Sequence, residues 1–123
     1  MENDKAKFKE DFIKRLIRFS IAIIHLSNKL REHKLSWSIS DQLIRSSTSI
    51  GANVVEAKSS SSRKDYTHFF EIALKSANET EYWLILVQEV APALKEETMA
   101  ALQELREISK IIASSILTLK GKK

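Results

Sequence analysis

Apolar residues recur along this chain at alternating spacings of four and three, the repeat of helices that pack one face against partner helices. The first such segment runs from Lys5 to about Arg31 and carries Phe12, Leu16, Phe19, Ile23, Leu26 and Leu30. Polar residues Arg31, Glu32, His33, Lys34 and Ser36 then break the pattern, which predicts a connection near His33 to Ile39. A second helix starts near Ser38 or Ser40. Ser38 would form a capping box with Asp41, whereas Ser40 would let Ile39 staple onto Ile44, and the sequence leaves both open. Leu43, Ser47, Ile50, Val54 and Ala57 carry this helix's repeat, with Ser46, Gly51 and Ala52 as small neighbours that permit close helix approach.

Lys58 through Ser62 is a short polar run with nothing to bury, read as a flexible turn, and Ser62 stands three before Asp65 as an N-cap for the next helix. Tyr66, Phe70, Ala73, Ala77, Thr80, Leu84 and Val87 define the third helix; Pro92 closes it or opens the next. The fourth, roughly Lys95 to Leu119, repeats through Leu102, Leu105, Ser109, Ile112, Ile116 and Leu119. No stretch keeps a period of two, so strands are excluded, and the polar interruptions argue against a single coiled-coil rod. Helices joined by short connections pack as antiparallel neighbours, so the pattern predicts an all-α, up-down-up-down four-helix bundle. The whole chain, 1–123, is one domain, too short for two independent cores.

Two apolar faces are broader than a core demands. On a wheel of about 100° per residue, Ile13, Ile17 and Ile24 form a stripe beside the first helix's seam, widening its apolar arc to roughly 180°. Ile108 and Ile111 widen the fourth helix in the same way. Either these helices are enclosed within the bundle or they bury a face against another subunit, which makes all five isoleucines candidates for an oligomer interface.

Composition narrows the chemistry. Without cysteine there are no disulfides and no thiolate metal sites. The charged start, Met1 to Lys9, lacks the apolar core of a signal peptide, and no stretch approaches about 18 uninterrupted apolar residues. A cytoplasmic protein that does not span a membrane is expected. His25, His33 and His68 have no second ligand at metal-binding spacing, no GxSxG elbow surrounds any serine, and Gly51 stands alone where a phosphate loop needs several glycines. No catalytic residue, metal, cofactor or small-molecule substrate is indicated.

A net charge of +4 and a pI of about 9.4 favour polyanions weakly. Lys14, Arg18 and Lys29 share the polar side of the first helix, and Lys58, Arg63 and Lys64 cluster around the serine turn. These six are the candidate nucleic-acid contacts, although neither group is interleaved with aromatic platforms in sequence and a solvated surface explains each as well. On the second helix Gln42, Arg45, Ser49, Asn53 and Glu56 line one face. The stripe suits a plain solvated face, and its short polar composition equally suits a packed seam or a ligand contact. Antiparallel pairing of helices two and three would bring Arg45 level with Glu79 or Glu81, an interhelical ion pair that competes with phosphate binding as its role.

The stretch from Gln42 to Ala57, QLIRSSTSIGANVVEA, and the block from Asp65 to Glu81, DYTHFFEIALKSANETE, resemble the signature of bacterial four-helix-bundle proteins encoded in intervening sequences of 23S ribosomal RNA genes. The resemblance implies a left-handed bundle, a ring-like homopentamer and no known catalytic activity. A related group assists diversity-generating reverse transcriptases and binds nucleic acid through a basic pentameric surface. Two positions depart from the pattern: paired arginines are replaced by Ile44-Arg45, and Glu-Gly by Glu56-Ala57. Losing one arginine weakens the transfer of a phosphate-binding role. The expected function is a non-enzymatic homo-oligomeric module that engages RNA or a ribonucleoprotein; the alternative is a protein-interaction scaffold whose basic charge is incidental.

Overall fold

The computed structural model describes residues 2–32 and 37–121. Its elements are α1 (Glu2–Glu32), α2 (Trp37–Ala57), α3 (Arg63–Val90), a 3-10 turn at Pro92–Leu94, and α4 (Lys95–Leu119). Side-chain contacts fix the arrangement. The Ser40 hydroxyl donates to the Ser27 carbonyl at 3.1 Å, and a Cβ built on Gly51 would meet the Leu16 Cβ at 3.5 Å, so α1 and α2 run antiparallel. Arg45 reaches Glu79 while Ser49 meets Ser76, Arg106 reaches Glu81 while Lys120 reaches Glu71, and Arg15 reaches Glu104 while Lys29 reaches Glu97. Each pair steps up one helix and down the other. Four antiparallel contacts, α1/α2, α2/α3, α3/α4 and α4/α1, close the all-α bundle.

Both central connections have a physical cause. After Ala57 the chain tightens, with the N–H groups of Lys58, Ser59 and Ser60 donating to the carbonyls of Val55, Glu56 and Ala57. Ser62 then takes an extended backbone, and its hydroxyl accepts from the Asp65 N–H at 3.0 Å, the N-cap its sequence spacing predicts. At the other connection α3 ends before Ala91, and Pro92 opens the 3-10 turn, where its missing N–H is not needed. The start of α2 departs from expectation. The helix already includes Trp37, so neither Ser38 nor Ser40 is its cap, and residues 33–36 lie outside the described part of the chain. Ser40 instead faces inward, and its hydroxyl ties α2 to α1.

The core follows the predicted seams. All six α1 positions from Phe12 to Leu30 are buried, as are Leu43, Ser47, Ile50, Val54 and Ala57 of α2 and Phe70 through Val87 at the predicted positions of α3. Each fully buried leucine or isoleucine contributes about 1.5–3 kcal/mol relative to exposure. On α4 the buried face is Thr98, Leu102, Leu105, Ile108 and Ile112, whereas Ser109, Ile116 and Leu119 are only half-buried. The predicted seam therefore holds at Leu102, Leu105 and Ile112, Ile108 takes the place of Ser109, and Ile116 packs half-buried against the core.

Candidate functional site

Small side chains let α2 and α3 approach closely and exchange hydrogen bonds between them. Thr80 Oγ1, fully buried, lies 3.0 Å from Ser46 Oγ and 2.7 Å from the Ser76 carbonyl. One turn along, the Ser49 and Ser76 hydroxyls meet at 2.9 Å, and Asn53 donates to the Ser49 carbonyl and hydroxyl at 2.8 and 3.1 Å. At the solvent edge of this seam Arg45 donates to Gln42 Oε1 from Nε at 3.0 Å and from Nη2 at 2.7 Å, and the same guanidinium pairs with Glu79. Glu79 also accepts from the Trp83 indole at 2.9 Å. Glu81 is engaged elsewhere, by Arg106 of α4. The polar stripe thus divides: Gln42, Arg45, Ser49 and Asn53 belong to the helix contact, while Glu56 is exposed beyond it. Of the α3 residues here, Glu79 is one of the two carboxylates expected level with Arg45 and Thr80 belongs to the predicted seam of the third helix, whereas Ser76 and Trp83 were not anticipated.

The six basic candidates do not converge on one surface. Lys14 pairs with Glu10 one turn away at 3.3 Å, and Lys29 with Glu97 of α4. Arg63 donates to the last carbonyls of α4, those of Leu119 at 2.9 Å and Thr118 at 3.3 Å, and so helps cap a helix end where Thr118 also accepts from the Gly121 N–H at 3.0 Å. Arg18, Lys58 and Lys64 are exposed and make no side-chain hydrogen bond or ion pair among the described residues. Arg18 lies midway along α1, whereas Lys58 and Lys64 flank the serine turn.

The strongest perturbed charges are structural. Arg15 donates to both Glu104 oxygens at 2.7 Å, a two-pronged pair joining α1 to α4. This hydrogen bond holds the Glu104 carboxyl below its ordinary value despite the opposing effect of burial, and raises Arg15. Glu71 is lowered by the hydrogen bond from Lys120. His25 and His68 are exposed, His33 lies outside the described residues, and no group of three metal-ligating side chains gathers among the described residues. Among them, too, no helix is long and apolar enough to cross a membrane.

The five candidate interface isoleucines separate. Ile17 is 53% exposed and Ile24 38%, and with Ile21 at 48%, overlooked in the wheel, they form an apolar stripe on the outside of α1. The α1/α2 register brings Ile44, half-buried, level with Ile24, and exposed Val55 level with Ile13, which carries the apolar surface onto α2. Ile13 and Ile111 are half-buried against the core. Ile108 is a correction: it is 0% exposed within a single chain and cannot face another subunit, because the α4 face turns it between its neighbours.

The profile of the 23S rRNA-intervening sequence protein family matches residues 9–114. Among solved structures, a protein of unknown function from the S23 ribosomal protein family of Bacteroides thetaiotaomicron is 36% identical, with a TM-score of 0.80; the match covers 85% of this chain and 97% of that one. No curated protein matches the sequence. A match over this length of the chain, together with a shared bundle at that identity, places the protein: it belongs to the 23S rRNA-intervening sequence protein family.

Proposed function

We infer that the chain is a non-enzymatic, cytoplasmic, homo-oligomeric helical module, pentameric by family resemblance, that engages RNA or a ribonucleoprotein through its exposed basic groups. The observation that carries this reading is the stripe Ile17, Ile21 and Ile24, where three large apolar side chains on one helix face meet water in the isolated subunit. An apolar surface continuing onto a second helix is the kind of face that oligomers cover. Self-association would set several copies of Arg18, Lys58 and Lys64 into one assembly, so weak contacts from each subunit would add up.

Light scattering should give a mass several times 14.1 kDa. Changing Ile17 and Ile24 together to aspartate should yield a helical monomer, since both side chains stand outside the core. A monomeric wild-type protein at micromolar concentration sinks the reading. The protein-scaffold alternative is favoured by the internal partners of Lys14, Lys29 and Arg63. Salt separates the two: phosphate contacts release counterions, so RNA affinity should fall steeply with ionic strength, while an apolar protein contact should respond little. Recovery of partners from the native host that survives nuclease treatment would favour the scaffold.

A further inference from the structure

At the end of the bundle where α1 begins, α2 ends, α3 begins and α4 ends, the four helices enclose an open cleft of about 520 Å³. We propose that this cleft binds a small amphipathic anion: an apolar chain or ring body seated between aromatic walls, with its carboxylate or phosphate head among lysines at the rim.

The walls are two stacked aromatic pairs. Phe8 and Phe12 of α1 lie with ring centroids 6.4 Å apart and planes 17° from parallel; Tyr66 and Phe70 of α3 lie 5.1 Å apart at 19°. Phe12 and Phe70 are core residues, whereas Phe8 is 57% exposed, so the apolar lining runs from the interior out to solvent. The α4 wall asks nothing of a ligand body. The Ser115 hydroxyl already donates to the Ile111 carbonyl at 2.9 Å, and the Thr118 hydroxyl to the Ser114 carbonyl at 3.1 Å. A site of this volume, mostly apolar with a few polar groups at one edge, has the dimensions of small-molecule sites.

Charge at the rim selects the head group. Lys5, Lys9 and Lys58 line the cleft against a single carboxylate, Asp4. Lys9 reaches across from α1 to place its ammonium 5.3 Å from the Tyr66 ring centroid, which sets a positive charge directly beside an aromatic wall. Phe8 stands beside Lys9 in the chain, and folding adds Tyr66 of α3 to the same lysine. The cleft does not include Ile17, Ile21 or Ile24, although it shares Lys58 with the candidate RNA contacts and Ile13 with the candidate interface residues.

The test uses the full chain with labelled methyl groups and three ligands of similar tail length, decanoate and decyl phosphate below their micelle concentrations and decanol below its solubility limit. Ile13, Val54 and Leu119 report the cleft, and Ile17, Ile21 and Ile24 report the outer stripe. Decanoate, decyl phosphate or both should shift the cleft methyls and bind more tightly than decanol; which head is preferred names the ligand's source. In a Lys9→Gln/Lys58→Gln variant, whose changes are confined to exposed side chains, affinity for the preferred anion should fall several-fold to about tenfold while that for decanol stays constant. The proposal is overturned by any of three results: equal affinity for alcohol and anions, shifts confined to the outer stripe, or no shift at all.

Discussion

Arg45→Ala separates a structural arginine from a phosphate-binding one, because the two roles change different observables. In the structure the guanidinium is held by Gln42 from its own helix and by Glu79 from α3. The Arg45 side chain is 60% exposed and that of Glu79 38%, so this is a screened surface pair and its removal should cost about 0.2–1 kcal/mol. Glu79 keeps the Trp83 indole donor after the change, so no carboxylate is stranded and the larger cost of a broken buried pair does not apply. For a chain of this size the loss corresponds to a fall of up to roughly 3–6 °C in melting temperature. Urea unfolding at fixed protein concentration, with Glu79→Ala and the double variant, should return a coupling energy within that range. RNA affinity measured across a salt series should keep its slope. A variant of unchanged stability whose log affinity depends less steeply on log salt, by roughly one unit, would refute the ion-pair assignment and place Arg45 on a phosphate.

Gly51→Ala should stabilise the protein by up to about 1 kcal/mol in urea unfolding, because the added Cβ would meet Leu16 at an ordinary 3.5 Å and alanine is the better helix former. Loss of the hydroxyl should have opposite consequences at two buried positions. Thr80→Val should cost about 1 kcal/mol by removing the contacts to Ser46 and Ser76, whereas Ser27→Ala, whose hydroxyl has no partner among the described residues, should be neutral or stabilising; equal losses would show that hydrogen bonding is not the difference. Glu104 titrates below an ordinary carboxyl because Arg15 holds its ionised form. Its stabilisation is therefore complete above the unfolded value of about 4.3 and lost as pH falls through the folded value. The stability gap between wild type and Glu104→Gln should shrink from pH 7 to pH 3, and a gap constant over that range would contradict the assignment.

Where the pattern is periodic and apolar, the chain announces its own structure. The α1 seam from Phe12 to Leu30, the Ser62 cap and the span Lys95 to Leu119 could all be placed from spacing alone, since each depends on residues within a turn or two. The start of α2 could not, because a serine's choice between capping and packing depends on what lies opposite: Ser40 faces the Ser27 carbonyl, a partner thirteen residues away. Ile108 and Ile17 show the same limit from the other side. Both extend an apolar face beyond the seam, yet one is fully buried and the other half exposed, because a wheel gives the width of a face and not the direction of the neighbours.

The basic charge illustrates why composition overstated one surface and concealed another. Lys14, Arg15, Lys29, Arg31, Arg45, Arg106 and Lys120 are all held by carboxylates, most of them on a neighbouring helix. A cation already neutralised within the bundle must give up its partner before it can meet a phosphate, so the net charge of +4 does not measure a binding face. The lysines beside Phe8 and Tyr66, which no carboxylate holds among the described residues, contribute no more to that total than any others, but they adjoin exposed apolar area. Position, which only the packed helices define, therefore decides which lysines remain available to an anion.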